Sequence, residues 1–248
     1  MKNIKIVLSY DGVLFKGWAM QPGKRTVEET LKKSLLKVLG EYNEFHSAGR
    51  TDSGVHAENQ VISLKAPVSK NFSASGLTKA LNSVLPDDIL IKSVEYLDYE
   101  FNARFDAVKR TYRYVLKHNS LFSVFERNYV SYFSENISFK ILKTSARDIL
   151  GKHNFKGFSA SCSESKNFER EIFSVLCSGN DREISLTISG NGFLTHMVRL
   201  ITGTLIQIAA GKMPRNRIAM ILDSGQRGLT GKKTPPNGLF LERIDYEV

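Results

Sequence analysis

One order of apolar periods occurs twice along this chain, and it limits the fold more than any single motif does. The first run starts with "NIKIVLSY", whose partial two-residue alternation predicts a strand. A helical period follows from Thr26 to about Leu39, with Val27, Leu31, Leu35 and Val38 on one face. Thr26 and Glu29 fit a capping box at its start, and Gly40 ends it. Strands are then expected at about residues 43–49 and 59–65. A second helix is predicted from roughly Ser73 to Leu85, turning Ala74, Leu77, Leu81 and Val84 inward and stopping at Pro86. "ILIKSVEYL" closes the run as a strand.

The second run repeats that order. "RTYRYVLK" reads as a strand, and residues 138–150 as a helix using Ile141, Leu142, Ile149 and Leu150. Strands are expected at about 170–178 and 183–189. A long helix follows from about Leu194 to Ala210, where Leu194, Met197, Val198, Ile201, Leu205 and Ile208 recur at helical spacing. A short extra helix begins at Pro214, and "GLFLERIDYE" ends the run as a strand. Each half is therefore β-α-β-β-α-β, the pattern of ferredoxin-like units. The expected fold is α+β, with one half over residues 1–105 and the other over 106–248, sheets on one side and helices packed behind. The default binding site is a cleft between the halves. No Pro/Gly-rich linker separates them, so tight packing is expected. At 248 residues and 42% apolar content the chain has ample core for one large domain or two packed ones.

Charge narrows the partners. Lys and Arg number 35 against 25 Asp and Glu, a formal net charge of +10. Such an excess favours a polyanion, with nucleic acid the commonest and an acidic membrane the rival. No apolar run approaches the roughly 20 residues of a spanning helix. "MKNIKIVLSYDG" is too short and too polar for a signal peptide, and the expected location is the cytoplasm. Cys162 and Cys177 lack a CxxC partner and read as reduced thiols. The five histidines stand singly, so no metal is expected. Basic clusters at Lys24–Arg25, Lys109–Arg110–Arg113, Arg215–Arg217 and Lys232–Lys233 suggest a phosphate-tracking surface, although solvated charge explains any one of them. In "KRTYRYVLKH", strand alternation puts Tyr112 and Tyr114 on one face and Arg113 on the other. Core packing and presentation to a nucleobase both remain open for these tyrosines.

The densest chemistry lies in "AGRTDSGVHAENQV", Ala48 to Val61. Taken alone, Asp-Ser-Gly between β-prone flanks is ordinary hairpin chemistry, because Gly54 tolerates positive φ and Asp52 can bond nearby amides. Against that stands one carboxylate beside arginines, an arrangement that favours the charged form a nucleophile needs. Arg199 adds to it from "FLTHMVRL", off the apolar stripe of its helix, where a solvent-facing role is equally open. "HAE" at 56–58 lacks the P-C-x-x-C of zinc base deaminases. "FKGFSASC" lacks the second glycine-aromatic element of an RRM motif. No Walker A or GxGxxG loop exists, so no nucleotide cofactor is indicated.

These residues resemble the tRNA pseudouridine synthases of the TruA type, nearly end to end. "AGRTDSGVHAENQV" is similar to their active-site motif and "YDGVLFKGW" to their N-terminal strand and loop. "FNARFDAVKRTYRYVL" is similar to the segment bearing their base-contacting tyrosine, and "GNGFLTHMVRLITGTL" to the helix carrying an arginine to the catalytic aspartate. "PPNGLFLERIDY" is similar to their C-terminal strand. The resemblance implies Asp52 as nucleophile, Tyr112 as the substrate-contacting tyrosine and Arg199 as the ion-pair partner of Asp52. It makes Arg50 a contributor to base or backbone positioning and Leu239 an apolar contact to the base. It implies the pseudouridine synthase fold, a homodimer, no metal or organic cofactor, and uridines 38, 39 and 40 of the tRNA anticodon arm as targets. Three positions depart from the usual pattern: Asn59 for glycine, Ala19 for glutamine and Asn102 for histidine. Two other classes remain in view: a non-catalytic RNA-binding or tRNA-folding protein on the same scaffold, and a base-excising glycosidase.

Overall fold

A computed structural model describes residues 1–68, 72–160 and 167–247, so Cys162 and the end of "FKGFSASC" lie outside the described residues. Two compact units emerge: Met1–Val108 with Phe240–Val248, and Lys109–Leu239. Residues from Phe240 onward thus count with the first unit, although the sequence order reads them as the end of the second half. The fold is α+β, and its strands pair both parallel and antiparallel.

In the first unit, β1 (Lys2–Tyr10) is the central strand, antiparallel to β3 (His56–Ala66) on one edge and to β4 (Ile89–Leu97) on the other. β2 (Asn43–Ser47) pairs antiparallel with β3, which gives the strand arrangement of a ferredoxin-like unit. The C-terminal strand β10 (Leu239–Tyr246) runs parallel to β3 where Phe240 faces His56 and Leu241 faces Ala57. Ile4, Ile6, Leu8 and Tyr10 alternate into the core, as the two-residue period requires. α1 (Val27–Leu39) buries Val27, Leu31 and Leu35, and the Thr26 side chain accepts from the Glu29 amide. Half of the capping box forms: the Glu29 carboxylate pairs with Lys33 at 2.7 Å, the neighbour at helical i+4. α2 (Ala74–Asn82) ends three residues before the sequence expectation. Its last residue, Asn82, bonds both the amide and the carbonyl of Ile91, which fastens the helix end to β4.

The second unit holds β5 (Ala107–His118) from Lys109 onward, antiparallel to β9 (Glu183–Gly190), which pairs with β8 (Glu169–Gly179). β6 (Ser131–Phe133) lies parallel to β5, and β7 (Gly151–Asn154) adds to the far edge of β8. The helix expected at 138–150 splits into α3 (Phe139–Ser145) and a 3-10 turn over Ala146–Ile149. The long helix α4 (Met197–Ala209) starts three residues later than its apolar stripe suggests. His196 has φ 66°, a left-handed conformation that no α-helix continues through. Leu194 is nevertheless buried, so the stripe persists beyond the helix. α5 (Arg217–Ser224) is the short extra helix.

Candidate active site

The loop between β2 and β3 carries Arg50 and Asp52, and the first unit holds it from below with the loop that follows β1. The Trp18 amide donates to the Thr51 carbonyl at 3.0 Å, and the Gly54 amide and Ser53 hydroxyl both donate to the Phe15 carbonyl at 3.3 Å. The Val55 amide closes the turn on the Asp52 carbonyl at 3.1 Å, with Gly54 at φ 79° as its left-handed residue. Gly17, at φ 93°, passes so close beneath that a β-carbon there would stand 3.0 Å from the Thr51 carbonyl oxygen and 3.1 Å from the Ser53 amide nitrogen. Thr51 and Val55 are buried, Asp52 between them is half-buried, and Arg50 is exposed. The backbone of this turn is therefore clamped on both sides of a carboxylate that stays accessible. Isolated hairpin turns do not need such support.

His56 follows the turn, 2% exposed, with its ring stacked 4.7 Å from Phe240. Its Nδ1 lies 3.1 Å from the Gly12 amide and 3.2 Å from Asp11 Oδ1. Those neighbours ask opposite things of one nitrogen, the amide a lone pair and the carboxylate a proton. The amide always carries its hydrogen, and Asp11 Oδ1 already accepts from the Val13 amide at 3.0 Å. With Nδ1 as acceptor the ring takes the Gly12 amide, and the Val13 amide rather than the ring supplies the hydrogen to Asp11 Oδ1.

Tyr112, Arg199 and Leu239 belong to the second unit. Tyr112 is 8% exposed on β5, with its ring edge-on to Phe193 at 5.0 Å. Tyr112 and Tyr114 share the inward face as alternation requires, and Tyr114 is the fully buried one. Arg199 corrects one open reading: it is 8% exposed and so does not face solvent. Its Nε donates to the Thr234 carbonyl at 2.8 Å, and the Thr234 hydroxyl donates back to the Arg199 carbonyl at 2.9 Å. The Tyr114 hydroxyl completes this group, bonding the Pro235 carbonyl and Ser131 Oγ. Burial pushes the Tyr114 phenol above its ordinary pKa, against Ser131, Thr234 and the Arg199 charge pulling it down. Leu239 is buried, and its amide bonds the Pro236 carbonyl. Sequence reading named Arg199 but missed Thr234 and Tyr114 as its neighbours, because only tertiary packing joins residues so far apart along the chain.

Several expected phosphate contacts have structural partners. Arg25 forms a bidentate pair with Asp88 at 2.7 and 2.9 Å and covers the Phe15 ring. Arg110 donates to the Asn191 carbonyl, and Arg215 to Thr144. Lys232 and Lys233 remain exposed. Asn59, one of the departures, donates to the Glu242 carbonyl at 2.6 Å and accepts from Lys92 at 2.6 Å, a cross-strand role that glycine could not fill. Among the described residues, no group of three or more His, Cys, Asp or Glu could hold a metal ion. No described helix is long and apolar enough to cross a membrane.

A family model described as tRNA pseudouridine synthase matches residues 6–106 and 146–247, and the chain belongs to that family, whose members are isomerases. Curated relatives extend the match to nearly every residue. The tRNA pseudouridine synthase A of Bacillus subtilis (strain 168) is 37% identical over 247 residues, covering 99% of both chains. The protein of that name from Limosilactobacillus reuteri is 37% identical over 251 residues, covering 99% of this chain and 97% of its own. The one from Thermoanaerobacter sp. (strain X514) is 37% identical over 246 residues, covering 99% and 100%. A crystal structure of a Cbf5-Nop10-Gar1 complex is a distant likeness, with TM-score 0.38 and 11% identity over 96% of this chain and 57% of that one; nothing rests on it.

Proposed function

We propose that the chain converts uridine to pseudouridine at positions 38, 39 and 40 in the anticodon arm of tRNAs, with Asp52 as nucleophile. The activity is carried by 37% identity over 99% of the chain to relatives named tRNA pseudouridine synthase A. The nucleophile is supported by the clamped turn, which fixes the backbone of Asp52 and leaves its side chain half-exposed. Arg199 serves as the ion-pair partner of that carboxylate, Tyr112 and Leu239 contact the uracil, and Arg50 positions the base or its backbone. The enzyme works as a homodimer in the cytoplasm and needs no metal or organic cofactor. Isomerisation breaks the N1–C1′ bond, turns the uracil and joins C5 to C1′. The C5 hydrogen leaves as a proton, N1 gains one, and nothing is oxidised.

The test uses tRNA transcripts tritiated at uridine C5, with uridines 38, 39 and 40 replaced singly by cytidine. One tritium should be released per pseudouridine formed, and each replacement should remove only the matching product. Free uracil would instead identify a glycosidase, and tRNA binding without label release would identify a non-catalytic binder.

Tyr112 gives a second expectation. Tyr112→Phe should hold most of the tRNA affinity and slow isomerisation, since the ring stays against Phe193 and only the hydroxyl goes. Tyr112→Ala should also weaken binding, because base–aromatic stacking is worth roughly 1–3 kcal/mol. It should lower thermal stability too, because it empties a buried position. Wild-type turnover by both variants would make Tyr112 a core residue only.

A further inference from the structure

We propose that Tyr10 is a positioning residue for the reaction, its hydroxyl acting through Thr51 to set where the Asp52 carboxylate stands. The proposal rests on the assignment of Asp52 as nucleophile. Tyr10 is the last residue of β1, the strand held on both edges by neighbours, and is 4% exposed. Its hydroxyl meets Thr51 Oγ1 at 2.7 Å, both groups buried. Its ring lies 5.9 Å from Trp18, whose amide holds the Thr51 carbonyl. Thr51 is thus fixed at side chain and backbone together, one residue before Asp52.

Strand register aims Tyr10 at this point. Leu8 faces Gln60 while Tyr10 faces Ala57, so two steps along β1 span three along β3. Val7 faces Ser93 while Leu8 faces Ile91, so one step along β1 spans two along β4 and Lys92 is the extra residue. Bulges of this kind re-aim side chains at the ends of strands. Here the two bulges are tied to each other: Lys92 Nζ bonds the Glu58 carbonyl at 3.3 Å and Asn59 Oδ1 at 2.6 Å. The end of β1 therefore keeps one register against the loop that carries Asp52. Phenylalanine at position 10 would fill the same space, so packing does not explain the hydroxyl. Its evident partner is the threonine beside the nucleophile.

The test compares Tyr10→Phe, Thr51→Val, the double variant, Thr51→Ser and Asp52→Asn by single-turnover rate, tRNA Kd and Tm. Misplacing a reacting group by 1 Å can cost about 100-fold, so Tyr10→Phe and Thr51→Val should each slow the reaction by roughly 10- to 100-fold with tRNA Kd within about two-fold of wild type. The double variant should be no slower than the worse single one, since both remove the same contact. Thr51→Ser, which keeps the hydroxyl, should restore most of the rate. A Tyr10→Phe enzyme with lowered Tm and wild-type rate would overturn the proposal, as would fully additive losses in the double variant. An active Asp52→Asn would instead overturn the nucleophile reading. An inactive Asp52→Asn beside a fully active Tyr10→Phe would remove the positioning role alone.

Discussion

Arg199→Met should leave a folded protein that binds tRNA and forms pseudouridine on the order of 100- to 1,000-fold more slowly, the loss seen when one preorganised charge-stabilising donor is removed. Methionine keeps the helix propensity and most of the stem volume of arginine at this position in α4, where the side chain is 8% exposed. The Thr234 carbonyl loses its bond from Nε, a loss of about 1.5–3 kcal/mol for a charged donor. Removing a buried charge in favour of an apolar side chain offsets part of that. The grip of the Thr234 hydroxyl on the Arg199 backbone carbonyl does not depend on the side chain and should survive. Stability should thus fall modestly while the chemical step falls steeply. A variant with clearly lowered Tm and an unchanged single-turnover rate would make Arg199 a structural residue that braces Thr234.

Most of the fold was legible because it rests on local periods. The Thr26 cap, the inward alternation of β1 and the apolar face of α1 all follow from residues a few positions apart. The start of α4 was misplaced because apolar spacing says where side chains are buried, whereas the left-handed backbone of His196 says where the helix begins. Arg199 lies off the apolar stripe, so its sequence left a solvent-facing role open. The structure buries it because the 231–234 segment lies along the polar side of α4. That crossing needs Gly203 and Gly231, since a β-carbon on Gly203 would collide with the Lys232 carbonyl. Arg25 reads as RNA-facing until Asp88, 63 residues away, is seen to pair with it. The aspartate turn was legible as a motif. Its support from Tyr10, Phe15, Gly17 and Trp18 was not, because "YDGVLFKGW" reads only as a strand and a loop until the two loops meet.

Asp52→Asn tests the central claim most directly. Asparagine keeps the size of the side chain and is itself favoured in turns. The contacts made to the turn by the Thr51 carbonyl and hydroxyl, the Asp52 carbonyl, the Ser53 hydroxyl and the Gly54 amide all remain. If Asp52 only shapes the turn, the amide should serve nearly as well. If it is the nucleophile, the reaction loses the group that starts it, and removing a nucleophile costs on the order of 10⁴-fold or more. On the proposed pairing, the substitution would also leave the Arg199 charge unbalanced, and an unbalanced buried charge can cost about 3–5 kcal/mol, so a folding defect could imitate a catalytic one. The measurement is therefore single-turnover pseudouridine formation on C5-tritiated tRNA, by protein whose thermal melt and tRNA affinity match the wild type. The account predicts bound tRNA, no tritium release and no pseudouridine. Isomerisation near the wild-type rate by that folded, tRNA-bound variant would contradict it.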